Sequence, residues 1–257
     1  MIEAIRKSGI ITKGIIYFLV GILTLLSALD MGGKVSGKNE VISFLKEQTF
    51  GNILLVIIAV GLAFYAFWRL YSAFLDGKNE GSDKTGILKR IGYFFSGLIY
   101  GSLSVSIISS IISRASNSTS KESATEMLIN NEGGIWILYV LAIVLLGVGF
   151  YQFYKGYSYK FLDDINKRGN VESESLLRKS GLFGHIARGI SFAIFGFFVY
   201  KAANEKNAEA IKGIQEMFSF LREFSWGNIL MGLMAVGFIL YGIYQYFLAT
   251  NSSQYKS

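Results

Sequence analysis

The chain has no cysteine, no proline and a single histidine among its 257 residues. Without cysteine there is no disulfide framework, no thiolate metal site and no cysteine nucleophile. One histidine cannot build a multi-histidine metal centre. Charge is also scarce: 17% of residues are charged against 52% apolar, which excludes a disordered chain and argues against an ordinary soluble enzyme. No glycine-rich phosphate loop or nucleophile elbow is present. No carboxylate falls inside the apolar core of any long run, so the group a proton-coupled transporter usually needs is missing. The expectation is a protein that is not an enzyme, with no catalytic residue, metal or cofactor.

What the chain does have is long uncharged stretches. Four run without a charge: 48–68, 91–113, 133–154 and 224–255. Roughly 20 apolar residues, at about 1.5 Å each, cross a bilayer core as a helix. Two further stretches are long enough but carry basic residues toward their N-terminal ends. Ser8 to Leu29 contains Lys13, and Ser180 to Tyr200 contains His185 and Arg188. The first is read as a retained helix, because Ser27-Ala28-Leu29-Asp30 fits a signal-peptide cleavage site poorly. The predicted fold is an all-α polytopic membrane protein of six transmembrane helices.

Six crossings put both termini on one side, and 16 of the 25 basic residues fall on that side. By the positive-inside rule the termini are cytoplasmic and the expected location is a bacterial inner membrane. The same rule accounts for the net charge of +7 without any nucleic-acid partner.

The six segments are three copies of one hairpin. The odd helices share a glycine, a second glycine five residues on, and an aromatic three further: Gly9, Gly14 and Tyr17; Gly92, Gly97 and Tyr100; Gly184, Gly189 and Phe192. The residue before the second glycine is Lys13, Ser96 or Arg188. The even helices share a glycine, a tyrosine four later and a long polar residue four after that: Gly61, Tyr65 and Arg69; Gly147, Tyr151 and Lys155; Gly237, Tyr241 and Gln245. Three residues at steps of four lie on one helical stripe. Three direct two-helix copies imply a pseudo-threefold axis along the membrane normal. The expected units are 1–76, 77–164 and 165–257, together forming one membrane domain.

A basic residue ahead of a glycine, and a Gly-x-x-x-Tyr in the following helix, three times over, resembles the domain-of-unknown-function family 1206. The resemblance covers nearly the whole chain. It implies a bacterial membrane protein with three tandem hairpins and brings no established activity.

Candidate functional features each carry a structural alternative. Gly14, Gly97, Gly189, Gly61, Gly147 and Gly237, with Tyr65, Tyr151 and Tyr241, read as helix-packing positions, the glycines alternatively as hinges or ligand-facing gaps. Ser102, Ser106, Ser109 and Ser113 fall on one helical face, either lining a wet path or bonding back to their own helix. Lys13, Arg69, Lys155 and Arg188 should gather near the cytoplasmic headgroups. They act there as snorkelling lipid contacts or as a basic inner vestibule for an anion. His185, one turn before Arg188, reads as a hydrogen-bonded interfacial residue or a pH sensor. Eight aromatics toward the inner ends of the even helices (Trp68, Tyr65, Tyr71, Tyr151, Tyr154, Tyr157, Tyr241 and Tyr244) read as an interfacial belt or a cage for a cation. Outer connections carry amphipathic patterns at Val41–Leu45, Thr119–Leu128 and Ile211–Leu221, expected to lie flat on the outer surface, or to act as lids or as a docking surface for an extracytoplasmic partner.

Two functions fit. One is a non-enzymatic scaffold or accessory subunit that binds membrane lipids, anionic ones included, or a partner protein. The alternative is a channel or conduit for ions or small solutes, with the serine stripe facing a central polar cavity.

Overall fold

A computed structural model describes residues 2–29, 31, 51–112, 128–165, 174–211 and 214–251. Every regular element among them is helical: α1 (Ile2–Ala28), α2 (Gly51–Phe74), α3 (Lys84–Ile112), α4 (Glu132–Tyr157), α5 (Glu174–Glu205), the short α6 (Ile214–Arg222) and α7 (Gly227–Asn251). Two 3-10 turns, Lys160–Asp164 and Ala208–Ala210, lie between them. All but α6 are long and apolar enough to cross a membrane. A bilayer offers backbone groups no water, so internally bonded helices are the natural spanning form for these runs.

Local chemistry sets several ends. Asn131 caps α4 by accepting from the Gly133 amide at 2.9 Å. At the turn from α2 to α3, the Asp76 carboxylate accepts from the amides of Glu80 and Gly81 at 2.8 and 2.9 Å. Asp76 and Asn79 there take the left-handed conformation, which these two residue types tolerate. Arg90 donates to the carbonyls of Ala73 and Phe74, closing the C-terminal end of α2.

The spans pack in the order α3, α2, α1, α7, α5, α4. Read around a circle, this is the pseudo-threefold ring of three hairpins with one seam unmade: among the described residues, α3 and α4 share no packed interface. The closed seams show what makes one. A methyl group on Gly9 would lie 2.5 Å from the Tyr65 Cα, and one on Gly184 would lie 2.7 Å from the Tyr241 Cα. The second glycine of each seam, Gly61 or Gly237, presses against Thr12 or Ala187. Repeat two carries the matching glycines, yet Gly92 and Gly147 face open space. The residue matching Thr12 and Ala187 is Phe95, whose ring needs more room than a bare backbone contact leaves. Phe95 is instead exposed, as is Tyr151. Gly147 and Tyr151 therefore do not make the packing contact expected of them. Gly14, Gly61, Gly97, Gly189 and Gly237 all do approach neighbouring helices closely.

The short α6 does not lie free on a surface. Met217, Phe218 and Leu221 are buried, with Phe218 edge-on to Phe238 of α7 at 5.8 Å. The amphipathic run is thus spent on the bundle. The patterns at Val41–Leu45 and Thr119–Glu122, and Ser113, lie outside the described residues.

Candidate functional site: a cation and tyrosine cluster

The repeat motif places Lys13 on the inward side of α1, one turn above Gly9. One turn back along α1, Gly9 lies against Tyr65 of α2, and Lys13 itself is 5% exposed. Its Nζ donates to the hydroxyls of Tyr65 and Tyr241, at 3.3 and 3.2 Å. Arg69, one turn beyond Tyr65 on α2, donates to the same Tyr65 oxygen from Nε at 2.9 Å and Nη2 at 2.6 Å. Arg188 donates to the Tyr241 hydroxyl at 2.5 Å from α5. Two phenol oxygens thereby tie together three cations from two repeat positions, Lys13 and Arg188 from one and Arg69 from the other.

Aromatic faces complete the shell. Lys13 Nζ stands 5.3, 5.7 and 5.4 Å from the ring centres of Tyr65, Tyr100 and Tyr241. The Arg69 guanidinium lies over Tyr93 at 4.9 Å, and that of Arg188 over Tyr241 at 4.6 Å and Tyr17 at 5.8 Å. Ring quadrupoles and phenol oxygens are favourable partners for a cation, but they carry no full negative charge. Among the described residues, no carboxylate forms an ion pair with Lys13, Arg69 or Arg188. The Nε of Arg188 is buried and has no hydrogen-bond partner among them either. The cluster draws on α1, α2, α3, α5 and α7; among the described residues no α4 side chain bonds to it.

The fourth predicted cation is separate. Lys155 of α4 pairs with Asp164 of the following 3-10 turn at 2.6 Å. Burial works against ionisation of Asp164, yet Lys155 and Lys78 together hold its carboxyl below the ordinary value. Burial, with Arg69 next in effect, pushes the Lys78 ammonium down to about 8. Glu80, opposite, pairs with Lys89 at 2.6 Å and accepts from the Tyr93 hydroxyl. Asp164 and Glu80 are thus already engaged with other partners.

Several expectations change. Lys13 does not snorkel to a headgroup; it is enclosed. The aromatics split: Tyr65, Trp68, Tyr241 and Tyr244 are buried inside the bundle, whereas Tyr151, Tyr154 and Tyr157 are exposed as a belt requires. His185 is a buried packing residue rather than an interfacial one. It bonds the Gly181 carbonyl through Nδ1 at 2.7 Å and stacks on Phe161 of the 3-10 turn at 5.3 Å. Ser102, Ser106 and Ser109 are exposed, on the same face of α3 as Phe95 and Ile99. The hydroxyls of Ser102 and Ser106 bond back to the carbonyls of Ile99 and Ser102. The serine that faces a neighbour is Ser104, bonded to the Ala59 carbonyl at 2.7 Å. Tyr17 and Tyr100 were visible as the repeated aromatic but not as part of a site. Nothing in the pattern marks Tyr93.

A polytopic membrane protein of three tandem hairpins, with basic residues converging at one end, is the class this architecture defines. The chain belongs to the family described as Domain of Unknown Function (DUF1206), whose model matches three times, over residues 8–76, 91–158 and 183–251. Each match falls within one of the three units read from the repeat. It is also 25% identical over 244 residues to a Bacillus subtilis (strain 168) protein called "Uncharacterized protein YxxB", covering 95% of this chain and 88% of that one. No solved structure matches.

Proposed function

We propose that this chain is a non-enzymatic scaffold or accessory protein of the bacterial inner membrane, with both termini cytoplasmic, and that its cation and tyrosine cluster binds an anionic group. The observation that carries this reading is Lys13, buried, with the half-buried Arg69 and Arg188 around two tyrosine hydroxyls and no carboxylate paired with them among the described residues. A buried charge is costly unless paired. A cluster of three invites a phosphate-type anion, to which guanidinium forks and an ammonium are well matched. The positive-inside assignment places the cluster toward the cytoplasmic leaflet, where anionic headgroups lie.

The test is retention of anionic lipid. Protein in nanodiscs of phosphatidylglycerol or phosphatidylcholine is moved into detergent, and bound lipid is counted by native mass spectrometry. The wild type is expected to keep phosphatidylglycerol and to shed phosphatidylcholine. The Lys13→Gln, Arg188→Gln double variant should keep at least tenfold less, while Lys7→Gln, at the exposed Glu3 pair, should match the wild type. Equal retention by the double variant and the wild type would sink the reading.

A further inference from the structure

The unmade seam runs beside the cluster. Five spans wall the cations, and the ring is left unclosed between α3 and α4, which share no packed interface among the described residues. Tyr93 and Tyr100 of α3 lie directly over Arg69 and Lys13, so the cluster borders the seam. The two seam faces are exposed and apolar beside the cluster, with Phe95 and Ile99 on α3, continued further along by Ser102 and Ser106, and Val144 and Tyr151 on α4. Gly92 and Gly147 add bare backbone, and a methyl group placed on either would meet nothing within 4 Å. Helical glycines cost about 1 kcal/mol against alanine and here return no helix contact. Phe95 stands where the closed seams have Thr12 and Ala187.

We infer that the α3/α4 seam is a lipid site: an anionic phospholipid seats its headgroup phosphate on Lys13, Arg69 and Arg188 and lays an acyl chain between Phe95 and Gly147. This rests on the anion-binding reading and adds the ligand class and the route. Charge complementarity selects the occupant. A neutral helix or a second copy would fill the apolar faces and leave the cations unmatched. A soluble anion would match the cations and leave the faces bare.

Two measurements test it. The first uses phosphatidylglycerol carrying a diazirine on its acyl chain, retained by wild-type protein after bulk lipid is removed, then photolysed and mapped by mass spectrometry. Adducts should concentrate on residues 92–99 and 144–151, at least fivefold above α1 and α7; adducts spread evenly or placed elsewhere overturn the inference. The second fills the seam. Gly147→Trp should lower phosphatidylglycerol retention about tenfold while its melting temperature stays near that of the wild type. If the Lys13, Arg188 double variant loses lipid and Gly147→Trp keeps it, the cluster binds an anion and the seam site is wrong. If 10 mM inorganic phosphate displaces the lipid from wild type and Gly147→Trp changes nothing, the ligand is a soluble anion and the inference fails. If Gly147→Trp loses lipid and the double variant keeps it, the chain binds in the seam without the cations, and both readings fall.

Discussion

Repeats one and three close their hairpins with glycine against backbone; repeat two has the same glycines in the same register and stays open. The three units differ at one decisive position. Thr12 and Ala187 are small enough to sit on the partner glycine, and Phe95 is not. A motif is therefore only half of a helix contact, because the surface that meets it must be small as well. The consequence reaches the charges. Closed seams bring Tyr65 and Tyr241 inward, where their hydroxyls hold Lys13, Arg69 and Arg188. The open seam leaves Tyr151 outside and Lys155 to pair with Asp164.

The largest expected effect separates the glycines. Gly61→Leu drives a side chain into Thr12 and must spread α1 from α2. Overpacking of this kind costs roughly 3 kcal/mol. Gly147→Leu meets nothing and replaces a poor helix former, so a gain of about 0.5–1 kcal/mol is expected. Thermal unfolding of the two variants in one detergent checks this. Equal losses would mean that repeat two packs its seam as the others do.

Next in size is a contrast of cations. Lys13→Met removes a buried charge that no described carboxylate balances, and Arg69 and Arg188 still satisfy the two tyrosine hydroxyls. Replacing buried charge by an apolar side chain of similar length is expected to stabilise by about 1–3 kcal/mol. The same variant should lose anionic lipid, so stability and binding move in opposite directions. Lys155→Met should behave the other way, costing about 1 kcal/mol by stranding the partly buried Asp164. Melting temperatures that fall for both variants would dissolve the distinction between the balanced and unbalanced ends of the bundle.

Much of the architecture was legible in the residues. Span lengths, the even number of crossings and the threefold motif follow from hydropathy and spacing, because a bilayer leaves a chain few ways to satisfy its backbone. The cations of the cluster were also visible one by one. Their burial was not, because a lysine near the end of a span ordinarily reaches water. Whether Lys13 reaches out or is enclosed depends on the distance between α1 and α2, which Gly9 and Gly61 set across the hairpin. Tyr93 was invisible for a different reason: it serves through Glu80 and Arg69, two residues from different places in the chain. The serine stripe shows the opposite limit. Its spacing is regular, but Ser102 and Ser106 spend their hydroxyls on α3 itself, and periodicity cannot tell a lined path from a self-satisfied face.

The smallest expected effect tests the pairing at α4 through pH. The Asp164 carboxyl is held below its ordinary value by Lys155 and Lys78, against the burial that works to raise it. A carboxylate whose folded pKa is depressed contributes stability that is fully present above its unfolded value, near 3.8, and lost as pH falls through the lower folded value. The melting temperature should therefore decline on acidification from about pH 4 downward, the 3-10 turn with Phe161 loosening from His185 as the pair breaks. Asp164→Asn should flatten that limb and cost about 1 kcal/mol at pH 7, where the wild-type pair is intact. Lys13→Met leaves Asp164 untouched and should keep the acid limb unchanged. An acid limb that survives Asp164→Asn would move the responsible carboxylate elsewhere, with Glu80, also held low at the turn between α2 and α3, the next to replace.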